Sequence, residues 1–92
     1  MSRIVFRVHA LQRMFERSIS IEEVRHVLVQ GETIEEYPSD SPYPSSLVLG
    51  RTASRTLHVV VAFNQAADEL IVITVYEPDA EKWDSELKRR NP

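Results

Sequence analysis

The sequence contains no cysteine. That excludes disulfides and thiolate metal sites, and it fits a reducing compartment, so a cytoplasmic location is the expectation. No run approaches the ~20 apolar residues needed to cross a bilayer, and no membrane helix is expected. The opening stretch MSRIVFRVHALQ lacks an uninterrupted apolar core ending in small residues, so no signal peptide is predicted. Internal repeats, low-complexity tracts and linkers are also missing. Positive charge is not in excess: 11 Lys and Arg stand against 14 Asp and Glu, a formal net charge of −3. That balance speaks against broad electrostatic binding to nucleic acid.

What is present is one small domain spanning residues 1–92. A hydrophobic fraction of 42% and a charged fraction of 27% are those of an ordinary globular chain. Its length supports one core and no more. The charges are unevenly spread. Arg3, Arg7, Arg13 and Arg17 dominate the first segment, where Glu16 is the sole acid. Acids gather between Glu32 and Asp40 without a base, and Lys88, Arg89 and Arg90 form a basic end. Such local patches can bind an anion even on an acidic protein.

The densest apolar stretch runs from Arg55 to Tyr76. RTLHVVVAF and LIVITVY flank the polar turn NQAADE, the signature of a β-hairpin that should form the centre of a sheet. Before it, Ile4–Val8 fits a short strand or a first helical turn equally well. Val8–Arg17 reads as a helix with Val8, Leu11, Met14 and Phe15 on its buried arc, and with His9, Arg13 and Arg17 on the polar one. Ser20 and Glu23 form a capping box, and Ile19 can staple onto Val24. The helix they open should run Ile21–Gln30, bury Ile21, Val24, Val27 and Leu28, and end at Gly31 in the left-handed conformation. Glu32–Tyr37 reads as a charged edge strand. Leu47–Arg51 is the next strand, joined to Leu57–Phe63 through Thr52–Arg55. Pro78 and Asp79 open a last short helix with Trp83 and Leu87 as its buried face. The sum is an α+β fold: two N-terminal helices packed on a four-stranded antiparallel sheet, then a C-terminal helix. Both faces of the last strand are apolar, so both faces of the sheet should be at least partly covered.

Three histidines are the first candidates for chemistry. No pair has the i, i+4 spacing of a helical zinc site, so neither a metal nor a cofactor is expected. His26 reads as a solvated residue near a helix end. His58 interrupts a central strand and shares a face with Val60 and Ala62. There it is either a hydrogen-bonded core residue or the floor of a cleft. His9 lies beside Arg13 and Arg17, whose guanidinium forks suit a phosphate. Tyr76 ends the last strand. Trp83 reads as packed on the sheet, and Lys88-Arg89-Arg90 as a solvated helix end.

HALQRMFERSIS, the helix closed by Gly31, IEEYPSDSPYPSSLVLGR, RTLHVVVAF and ITVYEPDAEKW together resemble a bacterial domain of unknown function grouped with RelE/ParE/BrnT-like toxins. The resemblance runs from His9 to Trp83. It implies a RelE-like α+β fold and a toxin of a type II toxin–antitoxin pair that cleaves mRNA without a metal. By that resemblance His9, His58 and Tyr76 would be catalytic, with the two histidines exchanging protons. Arg13 and Arg51 would hold RNA phosphate, and Arg17, stacked beside Arg13 on the same helix face, is a further phosphate candidate by its residue type. The implied partners are RNA and an antitoxin carrying a zinc-binding or helix-turn-helix domain. Gly31 and Gly50 match the pattern as backbone residues. The chain departs from RelE-like ribonucleases in being acidic and in lacking their lysine-rich helix. A second expectation therefore stands beside the first: a non-catalytic protein-binding module that keeps the toxin fold.

Overall fold

The two apolar runs do become the centre of a sheet. A computed structural model describes residues 2–92. Its elements are β1 (Arg3–Phe6), α1 (Val8–Glu16), α2 (Ile21–Gln30), β2 (Glu32–Tyr37), β3 (Ser45–Arg51), β4 (Thr56–Asn64) and β5 (Glu69–Tyr76). The sheet order is β1-β5-β4-β3-β2. Strands β2 to β5 form the expected antiparallel meander, with charged β2 at one edge. A fifth strand corrects the four-stranded expectation: β1 pairs in parallel with β5, so the sheet is mixed. Four residues suffice because the alternating segment Ile4-Val5-Phe6 finds an open β5 edge, and Arg7 N–H closes the pairing on the Val72 carbonyl.

The helices cover one face. Leu57, Val59 and Val61 of β4 join Val48, Val72 and Val75 in a core with Ala10 and Met14 of α1 and Val24 and Val27 of α2. The capping box forms as expected, with Glu23 N–H donating to Ser20 Oγ and Ser20 N–H to the Glu23 carboxylate. Ile19 is buried in the same cluster as Val24. Gly31 differs from expectation: its φ of −81° and ψ of −179° are extended, not left-handed. What requires glycine there is close approach. A Cβ would lie 2.4 Å from the Val27 carbonyl and 2.6 Å from that of Leu49.

Helix α1 is turned from its expected setting. Ala10 and Met14 are its buried residues, whereas Val8, Leu11 and Phe15 face solvent. The small Ala10 side chain lets the helix lie close against β5, and that contact outweighs the larger apolar arc. Of the four residues expected inside α2, Val24 and Val27 are buried, Leu28 is half-buried and Ile21 is exposed.

The second face holds Leu47, Leu49, His58, Ala62 and Ile71, all buried. Residues 77–92 cover part of it, and they are not helical. Asp79 does accept from the Glu81 N–H as a cap would, but the turn stops there. Asp84 starts a second turn by accepting from the Glu86 and Lys88 N–H groups, and Trp83 bridges to Arg90. Two side chains that compete for local backbone donors favour turns over a helix. Those hydrogen bonds hold the Asp84 carboxyl below its ordinary range, the one from the Lys88 N–H contributing most.

Candidate functional site

His58 is 0% exposed. Strand alternation places it opposite Leu57 and Val59, on the face away from the helices. In register it lies between Leu49 on β3 and Tyr76 on β5. Its Nε2 sits 2.7 Å from the Leu87 carbonyl oxygen. A carbonyl only accepts, so Nε2 carries the proton. Nδ1 is then a lone pair, and the Tyr76 hydroxyl donates to it at 3.2 Å. The Trp83 ring closes the space edge-on, its centroid 4.4 Å from the imidazole. Leu87 reaches this position with a φ of 62°, a left-handed conformation that costs a leucine about 1 kcal/mol. Burial pushes the His58 pKa below its ordinary value, against the pull of the Leu87 hydrogen bond. The imidazole is therefore neutral at neutral pH. Burial also raises the Tyr76 hydroxyl above its ordinary value, which keeps its proton in place.

Tyr76 lines a cleft of about 640 Å³ together with Arg17, Lys82, Trp83 and Arg90. Arg17 is positioned by backbone. It donates at 2.7 Å to the Val75 carbonyl, on a stretch of β5 that runs past the end of β1. Arg90 lies 5.1 Å above the Trp83 ring and 3.5 Å from a Glu35 carboxylate oxygen. Lys82 has no ion-pair partner among the described residues. Glu77, Asp79 and Glu81 also border the cleft. The site thus combines a phenol hydroxyl, a neutral imidazole behind it, and three cations faced by three carboxylates.

Residues 6–77 match the family described as a domain of unknown function, DUF4258. The chain belongs to the DUF4258 family. No curated protein and no solved structure matches it. The DUF4258 match takes in Arg17, His58 and Tyr76 and stops at Glu77. The tail that supplies Lys82, Trp83, Leu87 and Arg90 lies outside it.

Among the six site residues expected from sequence, this DUF4258 domain brings three together: Arg17, Tyr76 and, behind it, His58. His9 and Arg13 line a separate cleft of about 710 Å³ with Phe6, Val8, Ile73 and Thr74. Arg51 borders a third, of about 420 Å³, near Glu32, Glu86 and Lys88. The expected exchange of protons between His9 and His58 has no geometry here. His9 is exposed on α1, on the helix side, while His58 points to the other face with both nitrogens engaged. Of the two readings of His58 left open by sequence, the hydrogen-bonded core residue is the one found. His26 is exposed, as expected. No group of three potential metal ligands occurs among the described residues. Nor is any helix among them long and apolar enough to cross a membrane.

Sequence reasoning missed Lys82, to which it gave no role, and Arg90, which it read as part of a solvated helix end. It also missed Arg55, which pairs with Glu23 and ties the β3–β4 turn to the start of α2. An arginine in a polar turn carries no signal of its partner.

Proposed function

We propose that this protein is the toxin of a toxin–antitoxin pair and acts on RNA, without a metal, at the Tyr76 cleft. The observation that carries the reading is the Tyr76 hydroxyl held by a buried, neutral His58 beside Arg17, Lys82 and Arg90. Metal-free cleavage needs a group that moves a proton and cations that hold phosphate. In the reaction the ribose 2′-oxygen bonds to phosphorus and loses a proton. The 5′-oxygen leaves and takes one from solvent in the open cleft, to which the imidazole afterwards returns the first. A phenol coupled to a neutral imidazole can relay the first proton, with Nδ1 as its acceptor and the Leu87 carbonyl steadying the charged ring. Arg17, Lys82 and Arg90 would meet the phosphate. The proposed setting is the cytoplasm, with an antitoxin as partner.

Induced expression in bacteria tests this. Soluble wild-type protein should arrest growth and fragment mRNA. Tyr76→Phe keeps the ring but removes the hydroxyl, and should slow cleavage by roughly a hundredfold or more. Intact mRNA in cells rich in soluble wild-type protein would end the proposal. A second reading, a non-catalytic binding module, draws on the three carboxylates that offset the cations of the cleft. It expects Tyr76→Phe to leave every phenotype unchanged.

A further inference from the structure

The cleft at the start of α1 has the size of a small-molecule site, about 710 Å³, and a charge unlike that of its neighbours. Arg7, His9 and Arg13 border it, and no carboxylate does. The Tyr76 cleft carries three carboxylates and the Arg51 cleft two, so the cations there are offset within their own walls. Here they are not. Among the described residues the Arg7 guanidinium has no ion-pair partner, and that of Arg13 has one exposed contact, 3.4 Å from Glu16. Helix α1 adds to the imbalance, because its first turn contains no acid and its capping residue, Arg7, provides no side-chain hydrogen bond.

The hollow has a cause in the sheet. Strand β1 ends at Phe6, opposite Val72, and the chain turns away into α1. Strand β5 runs on, with Ile73 as an extra residue between the pairs Val72–Val61 and Thr74–Val60. No strand covers the β5 edge from Ile73 onward, so a gap opens between that edge, the end of β1 and the start of α1. Phe6 and Ile73, both half-buried, give it an apolar wall. His9 and Arg13, four residues apart, face it from one side of α1. Three cationic or hydrogen-bonding side chains without a carboxylate call for an anion of more than one charge. A phosphate monoester carries about −1.5 to −2 near neutral pH, and guanidinium forks match its oxygens. The apolar wall calls for a flat ring, and the Thr74 hydroxyl, both donor and acceptor, suits a ring with heteroatoms. We infer that this cleft binds a heteroaromatic phosphate monoester of mononucleotide size, its phosphate on Arg7 and Arg13 and its ring against Phe6 and Ile73. The cleft shares no lining residue with the Tyr76 cleft, and the inference stands whether or not RNA is cleaved there.

The probe is adenosine monophosphate, titrated into the isotope-labelled full chain. It should shift amide resonances of Phe6–Arg13 and of Ile73 and Thr74, with a Kd below about 1 mM. Binding should be about tenfold or more tighter than that of adenosine alone or of inorganic phosphate alone. Arg7→Gln and Arg13→Gln should each weaken it about tenfold and leave the melting temperature in place, since both side chains are exposed. Naphthoate, a flat ring with a single negative charge, should bind about tenfold more weakly than the nucleotide. Binding no tighter than that of either fragment, shifts centred on Tyr76 and residues 82–90, or unchanged affinity in both arginine variants would overturn the inference. Naphthoate binding as tightly as the nucleotide would overturn phosphate as the anion.

Discussion

Replacing Arg55 should show how much of the fold hangs on one ion pair. Its guanidinium grips Glu23 with both prongs, Nε to Oε2 at 2.9 Å and Nη2 to Oε1 at 2.6 Å. The same Nη2 donates to the Ser18 carbonyl at 2.6 Å. One side chain thus fastens the β3–β4 turn to the link between the helices and to the first turn of α2. The hydrogen bonds from Arg55 hold the Glu23 carboxyl at about 2, against an ordinary 4.5. Each tenfold change in proton affinity is worth about 1.4 kcal/mol, so Arg55, with smaller contributions from Ser20 and Thr52, supplies about 3 kcal/mol at face value. Solvent still reaches 21% of the Arg55 side chain and 20% of Glu23, and screening brings the expectation to about 2 kcal/mol. Because the folded value is depressed, this stability is complete above the unfolded value of 4.5 and is lost as pH falls toward 2. Urea denaturation of Arg55→Ala should therefore show a loss of about 2 kcal/mol at pH 7, shrinking to less than half of that near pH 3. Glu23→Gln separates the two roles of Glu23, since glutamine also completes a capping box. In that background Arg55→Ala should cost much less. A loss below about 0.5 kcal/mol at pH 7, or one that is the same at both pH values, would falsify the reasoning.

Two further perturbations bear on the core. The folded pKa of His58 is depressed by burial, so its contribution to stability is full above the ordinary value of 6.5 and falls as pH drops through the window below it. His58→Leu removes that slope and orphans the Leu87 carbonyl, at a cost of about 2–4 kcal/mol at neutral pH. Denaturation between about pH 8 and about pH 5.5 reads both effects, and a slope unchanged in the variant would refute the assignment. Gly50→Ala should destabilise by about 1–3 kcal/mol, because its Cβ would fall 2.7 Å from Val27 Cγ1 where α2 packs on β3. A neutral substitution, measured by the thermal midpoint, would mean that α2 can shift away without loss.

The parts of the fold legible in the sequence are those set by local chemistry. Ser20, Glu23 and Ile19 define the start of α2 within a single helical turn, and the helix runs over the expected span Ile21–Gln30. The β4–β5 hairpin follows from two apolar runs about a polar turn, and the acids of β2 mark an edge. What was not legible depends on partners distant in sequence. Ile4–Phe6 becomes a strand because β5 has a free edge to pair with. Helix α1 offers two candidate arcs, and Ala10 wins by allowing close approach, a virtue that hydrophobic periodicity scores low. The C-terminal residues carried a helix start at Asp79, but Asp84 has a better use for its carboxylate in a second turn. Of the site, the residue types were legible and their grouping was not. His9 looked close to Arg13 and Arg17 on one helix face, yet only Arg17 reaches Tyr76, through a bond to a strand that no local pattern announces.

The grouping that did form traces to one residue. Strand β5 pairs Val72 with Val61 and Thr74 with Val60, so Ile73 is an extra residue opposite a single step of β4. With strict alternation Tyr76 would share a face with Val72, toward the helices. The bulge reverses the alternation beyond it. Val75 takes the place in the helix-side core, and Tyr76 falls beside His58 on the other face. The carbonyls are exchanged in the same step. Val72 offers its oxygen to Arg7 at the β1 edge, and after the extra residue it is Val75 that offers its oxygen to Arg17 there. Bulges re-aim side chains in this manner and cluster near functional sites. Neither glycine nor proline marks this one in the sequence; Ile73 ends the apolar run Leu70–Ile73, just before Thr74. A single unpaired residue therefore delivers both the phenol and the guanidinium to the cleft. The hairpin centred on it is core on the helix side and the wall of a candidate site on the other.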